Sequence, residues 1–146
     1  FHIKCYEGLV REKFPICSKL AGREVYTTTT ILDMEGLSIS QFYKCKAALR
    51  SISSTDQDNY PEHLGAMIII NVPSIFKTIW SLIKPWLDTQ TTSKIQIHTS
   101  TSYQQALKDL IPEENIPVFY GGKRQIAVGE SFGPWTEELA TTGRGL

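Results

Sequence analysis

Residues Gly129-Glu130-Ser131-Phe132-Gly133 carry the Gly-x-Ser-x-Gly spacing of a nucleophile elbow, where a sharp strand-to-helix turn exposes a serine hydroxyl for acyl transfer. The strand-like Ile126-Ala127-Val128 precedes it, as that geometry requires. The rest of the machinery is missing. Such an elbow is followed along the chain by an Asp or Glu and then a His, and no His follows Ser131. Pro134 also stands where the helix would begin. Short motifs match often by accident, and this one is read so. The chain has no Walker loop, no Gly-x-Gly-x-x-Gly and no zinc pattern, so the expected catalytic set is empty and no cofactor is implied. Cys5, Cys17 and Cys45 are odd in number and lack Cys-x-x-Cys spacing, which reads as reduced thiols in a cytosolic protein. His2, His63 and His98 have no metal-ligand spacing and read as surface or satisfied core histidines.

A second polar grouping is the threonine run on a strand expected over Arg23–Asp33. Thr28 and Thr30 share one face of that strand, and Thr27 and Thr29 share the other. A buried hydroxyl without a partner costs about 1–3 kcal/mol, so hydroxyls on both faces are unusual for a central strand. Either they serve β-propensity with local hydrogen bonds, or one face looks into a cavity holding a polar group.

The elements that position these residues are organised around Tyr60–Asp88. Gly65 opens the uncharged, Ile-rich run Ala66–Val72, which predicts a strand buried on both faces of a sheet. Ser74 is placed to cap the next helix. On that helix Ile75, Ile79, Leu82 and Ile83 share a face, widened by Phe76 and Trp80, until Pro85 stops or kinks it; Trp86 and Leu87 continue the apolar surface. So broad an arc is either an ordinary core helix or one that covers an apolar ligand in one state and meets a membrane in another.

Elsewhere a helix is expected over Cys5–Lys13, ended by Pro15. Gly36 closes the threonine strand, and Ser38 or Ser40 caps a helix running to about Ser53. A polar loop, Ser53–Asn59, follows it. Further strands are expected at Lys94–Thr99 and Ile116–Tyr120, with a helix near Ser102–Leu110 stopped by Pro112. The final residues, from Lys123, have weak pattern and a frayed end. Strand and helix thus alternate from Val25 to Tyr120, which predicts an α/β fold with a mainly parallel sheet and helices packed over it. At 146 residues, one domain spanning 1–146 is expected. Fifteen Lys and Arg balance fifteen Asp and Glu, leaving no basic footprint for nucleic acid and no polybasic anchor. No apolar run approaches the roughly 20 residues that span a bilayer, so membrane contact would rely on apolar surface.

Several stretches together resemble the CRAL-TRIO lipid-binding domain, and within it the fungal phosphatidylinositol/phosphatidylcholine transfer proteins. They are FPICS (14–18), TILDMEGLSIS (30–40), YPEHLG (60–65), IINVPSIF (69–76), IKPWLD (83–88), TSKI (92–95), SYQQALKDLIPEENIPVFYGG (102–122) and GPW (133–135). The likeness runs from about Tyr6 to Trp135 and rests on their order and spacing. It implies a sheet floored by strands and roofed by helices, enclosing a hydrophobic pocket for one phospholipid, with a gating helix over it. It implies a phosphatidylcholine head-group site at Tyr6, Thr28 and Thr30, where an aromatic face suits a quaternary ammonium. A phosphatidylinositol site is implied at Glu62, Thr91 and Lys94, with Lys94 pairing with phosphate. Ile75, Phe76, Ile79, Trp80, Ile83, Trp86 and Leu87 would form the gate and the acyl-chain wall. The family pattern begins before this chain does, and further choline-contacting tyrosines and basic phosphate contacts are expected in that earlier part. The implied protein is a non-enzymatic phospholipid exchanger. It would be a cytoplasmic monomer, peripheral to Golgi and endosomal membranes and linked indirectly to lipid-kinase pathways. A lipid-sensing module of a larger regulatory protein, or a carrier of sterol, tocopherol or retinoid, are the alternatives; a lipid hydrolase is a distant one.

Overall fold

The computed structural model describes residues 2–60, 62–127, 129–130 and 133–136. Two compact units are present. One comprises Phe1–Tyr26 with Arg124–Leu146, and the other Thr27–Lys123.

The first unit is helical. Helix α1 (His2–Gly8) passes through a π-turn, Leu9–Lys13, into α2 (Phe14–Ala21). Pro15 was expected to end the helix, and instead it occupies the first turn of α2. A proline ring clashes with the carbonyl four residues back in a regular helix. Here the Phe14 amide bonds the Leu9 carbonyl five residues back, and this wider turn relieves the crowding. Gly22, at φ 63°, ends α2 in the left-handed conformation that glycine adopts without penalty. Ser18 then receives the returning chain, its hydroxyl accepting from the Val25 amide at 2.8 Å. In the same unit the Lys13 ammonium lies 5.0 Å from the Trp135 ring centre.

The second unit holds a three-stranded parallel sheet in the order β1-β2-β3, formed by Thr28–Asp33, Leu64–Ile70 and Ile95–Ile97. Helix α3 (Ile39–Asn59) joins β1 to β2. Helix α4 (Phe76–Ile83), a 3-10 turn (Lys84–Trp86) and α5 (Thr89–Ser93) join β2 to β3. Helix α6 (Tyr103–Leu110) follows β3. Both crossovers run the same way along the sheet, so crossovers of one hand place their helices on one face. Phe42 of α3 and Phe76 and Ile79 of α4 accordingly share a cluster with Ile69, against which Met67 and Ile95 pack. The opposite face carries Ile68 and Ile70 against Tyr103 and Leu107 of α6 and Ile116. The central strand is therefore covered on both sides, with Ile68, Ile69 and Ile70 at 0, 3 and 0% exposure. The α/β class with a mainly parallel sheet is the one that the alternating pattern predicts.

Local differences have identifiable causes. The first strand begins at Thr28 rather than Arg23, because the first ladder bond available to it is Thr28 N–H to the His63 carbonyl at 2.8 Å. Ser38 caps α3 in a reciprocal box with Gln41, as expected, but the expected loop Ser53–Asn59 is helical. Side chains one turn apart hold it: Gln57 donates to the Ser53 carbonyl and Asn59 to that of Thr55. Ser74 does not cap α4; the Phe76 amide bonds the Pro73 carbonyl instead. Residues Ile116–Tyr120 are not a fourth strand. Pro117 has no amide to give a ladder, and the Tyr120 and Gly121 amides turn back to Pro117 and Val118, closing a 3-10 turn at Val118–Tyr120. Gly122 lies so close to the Ile116 carbonyl that a side chain there would overlap it. Val128, the residues from 137 on, and Ser131 and Phe132 of the Gly-x-Ser-x-Gly match lie outside the described residues. No helix among the described residues is long and apolar enough to cross a membrane.

Candidate functional site

Thr30 is in register with Met67, and Met67 packs on the cluster built from Phe42, Ile69, Phe76 and Ile79. Neighbouring residues in parallel strands point to the same side, so Thr28 and Thr30 belong to the face that α4 covers. The two hydroxyls differ. Thr28 donates to the His63 carbonyl at 3.3 Å and sits where the register slips by one residue, with Gly65 as the extra residue of β2. Gly65 packs closely against Thr27 there, a Cβ at this position standing 3.1 Å from the Thr27 side chain. Thr30 is half-buried, and its hydroxyl has no hydrogen-bond partner among the described residues. Tyr6 lies in the helical unit, on α1, with its ring 5.4 Å from that of His2.

Glu62, Thr91 and Lys94 come to the amino ends of β2 and β3. Glu62 is exposed, with a left-handed φ of 70°, in the turn two residues before β2. Thr91 lies on α5, and Lys94 caps that helix one turn later. The Lys94 carbonyl accepts from the Met67 amide at 2.9 Å, which fixes the residue at the start of β3. No ion pair joins Glu62 to Lys94 among the described residues. The Thr91 hydroxyl donates to Asp88 at 2.6 Å, and the Thr91 amide bonds the same carboxylate at 2.7 Å. Those bonds, the hydroxyl foremost, hold the Asp88 carboxyl below its ordinary range. Asp88 is a helix cap that sequence reasoning missed, although Asp-x-x-Thr before a helical turn is its signature.

The gate residues divide. Phe76 and Ile79 are in the core, at 3 and 1% exposure, and Trp80, Ile83, Trp86 and Leu87 are half-buried. Phe76 and Trp80 stack at 6.3 Å. Ile75, expected on the apolar face, is 38% exposed, because it precedes the first helical turn and Phe76 takes the inward position. Pro85 opens the 3-10 turn rather than kinking a longer helix. Gln57 of α3 ties this turn down, donating to the Trp86 carbonyl at 3.1 Å and accepting from the Asp88 amide at 3.2 Å. Beside it lies an open cleft of about 380 Å³, lined by Arg50, Ser54, Gln57, Asp58, Pro85 and Trp86. Nothing in the sequence pattern marked it, since α3 was expected to end before Ser54.

The carboxyl edge of the sheet carries a second unforeseen group. Asp33, at the end of β1, accepts from Asn71 at 2.9 Å, from the Glu35 amide at 2.9 Å and from the Tyr120 phenol at 3.0 Å. Burial alone would raise the Asp33 carboxyl, but these donors outweigh it and hold the carboxyl below its ordinary value.

Fold and site together define an α/β domain whose parallel sheet presents a hydroxyl-bearing face to an aromatic, apolar helix. The CRAL/TRIO domain family model matches residues 8–122, and the chain belongs to that family. It is 42% identical to the SEC14 cytosolic factor of Kluyveromyces lactis, over 91% of this chain and 46% of that one. It is 36% identical to the phosphatidylinositol/phosphatidylcholine transfer protein SFH4 of Arabidopsis thaliana, over 99% of this chain and 25% of that one. A crystal structure of Sfh5 shares the fold with a TM-score of 0.59 and 23% identity, over 82% of this chain and 43% of that one. The chain thus spans half or less of the length of these relatives.

Proposed function

We propose that this chain is the lipid-binding part of a phospholipid exchange protein that holds one phosphatidylinositol or phosphatidylcholine in a hydrophobic pocket between the sheet and a gate formed by 74–87. The observation that carries the reading is the Thr30 hydroxyl, half-buried on the sheet face under α4 with no partner among the described residues. That hydroxyl is not used up by a bond to the described residues, so it is available to a head-group oxygen that displaces water from it. The names of the relatives, two phosphatidylinositol/phosphatidylcholine transfer proteins of Arabidopsis thaliana among them, supply the lipid class.

In this reading Thr28 and Thr30 contact the choline head group, while Glu62, Thr91 and Lys94 contact inositol and its phosphate. Acyl chains buried against Phe76, Trp80 and Ile83 supply most of the affinity, at roughly 25 cal/mol per Å² of apolar area. The head-group contacts select the lipid. The exchanger works as a cytoplasmic monomer of one domain at Golgi and endosomal membrane surfaces, without catalysis, and serves lipid kinases indirectly. The test is mass spectrometry of lipid co-purifying with the protein, joined to vesicle-to-vesicle transfer of labelled phosphatidylinositol and phosphatidylcholine. Recovery of a sterol or retinoid, with no transfer of either phospholipid, would overturn it.

A further inference from the structure

Helix α3 is 21 residues long, yet Phe42 is its one buried residue among those described. Its charges are ordered against its own dipole. From Ile39 to Thr55 it carries Lys44, Lys46 and Arg50 and no carboxylate, while Asp56 and Asp58 stand in the last turn, where the helix dipole disfavours them. Tyr43, Lys46 and Arg50 fall at i, i+3 and i+7 and so form one stripe. The Lys46 ammonium lies 6.0 Å from the ring centres of both Tyr43 and Trp86, and the Arg50 guanidinium 5.9 Å from Trp86. Two cations therefore share one indole, and neither has a carboxylate partner among the described residues. Tyr43 is 58% exposed, and the 380 Å³ cleft opens beside Arg50 and Trp86. Asp58, the acid lining that cleft, lies two turns beyond Arg50 and is held by the Ser54 hydroxyl at 3.2 Å.

We propose that this stripe, Tyr43, Lys46 and Arg50 with Trp86, is the surface by which the domain docks on an anionic phospholipid membrane. Unneutralised cations complement the charge of anionic lipid, and the planar Arg50 fork suits a phosphate oxygen pair. Tyr and Trp are the side chains that settle at the level of lipid head groups, with the ring toward the acyl region and the polar tip toward water. Trp86 also ends the segment that follows α4, so docking would act at one end of the gate. The choice of a bilayer rather than an acidic protein as partner rests on the phospholipid reading above.

The experiment is co-sedimentation of the protein with phosphatidylcholine vesicles, with and without phosphatidylserine, run beside the transfer assay. Each cation near such a surface contributes about fivefold in affinity, so K46Q/R50Q should lose on the order of thirtyfold binding to the anionic vesicles. Lys44 lies two residues from Lys46 and so faces away from the stripe; K44Q should bind like the parent. Circular dichroism checks that each variant is folded. Equal losses in K44Q and in the double variant would reduce the effect to net charge and overturn the proposal. So would unchanged binding of the double variant, or failure of the parent to prefer anionic vesicles. If the parent binds anionic vesicles through the stripe but transfers neither phospholipid, the docking surface stands and the exchange reading falls.

Discussion

The phenol of Tyr120 donates to Asp33 at 3.0 Å, joining residues 87 positions apart in the chain. It links the end of β1 to the 3-10 turn at Val118–Tyr120. The other oxygen of Asp33 holds Asn71, whose φ of 53° lets the chain leave β2 toward Pro73 and α4. One carboxylate thus fixes three segments at the carboxyl edge of the sheet. Hydrogen bonds to a charged group contribute about 1.5–3 kcal/mol when buried, and this one is half-exposed. Tyr120→Phe should therefore lower unfolding free energy by about 1–2 kcal/mol in urea titrations. No loss would mean that the bond is replaced by water at no cost.

The same pair sets a pH dependence of stability. The folded-state pKa of Asp33 is lowered, so its contribution is present above the ordinary carboxylate value and lost as pH falls through the folded value. Burial first, then the bond to Asp33, pushes Tyr120 up to about 12 from 10.0, so its contribution is present below pH 10 and lost as pH rises toward 12. Urea midpoints should show the gap between the parent and Tyr120→Phe widest near neutrality and narrowing at both ends. A gap that is constant with pH would exclude this coupling.

How much of this could be read beforehand follows from what each element depends on. The strand at Ala66–Val72 and the helix near Ser102–Leu110 were legible because burial on both faces, or on one helical stripe, imposes its own residue pattern. Thr28 and Thr30 were legible as a pair through the two-residue period of a strand. The last two turns of α3 were not, because Gln57 stabilises them by reaching to Trp86 and Asp88, some thirty residues away, and propensity carries no trace of that. Asp33, Asn71 and Tyr120 were missed for the same reason. Ile116–Tyr120 has a strand composition, and the missing amide of Pro117 decides against it.

Head-group selection separates two groups of residues on different elements. Thr30→Leu should impair phosphatidylcholine transfer while leaving phosphatidylinositol transfer largely intact, and Lys94→Ala or Glu62→Ala should do the reverse. Losing a charge-assisted bond of about 1.5–3 kcal/mol corresponds to roughly tenfold or more in affinity. Thr28 is a less clean probe, since its hydroxyl already bonds the His63 carbonyl at the β2 bulge. Equal loss of both lipids in every folded variant would argue for a single shared site.

Ser131 offers a check on catalysis. With Pro134 standing where the helix of a nucleophile elbow would begin, Ser131→Ala should leave lipid binding and transfer unchanged, and a fluorophosphonate probe should not label the parent protein. Labelling of Ser131 would reopen the hydrolase alternative.

The gate is the last and most demanding prediction. Pro73 and Pro85 bracket α4 and could localise a hinge, which needs only a few residues that absorb backbone change. The helix is short, its amino end is closed by the Pro73 carbonyl, and the far end of the segment hangs on Gln57. Ile79 is too deep to report on gating alone: Ile79→Ala should cost about 2–5 kcal/mol of stability, as buried Ile deletions do. Ile83 is half-buried on the same side, so Ile83→Lys should weaken vesicle association and transfer by more than it lowers stability. Hydrogen exchange with and without vesicles gives the direct readout. Amides of 76–87 should exchange faster than those of Ile68, Ile69 and Ile70, and vesicles should change their rates while leaving the strand untouched. If the helix is as protected as the strand and vesicles change nothing, α4 is a fixed part of the core.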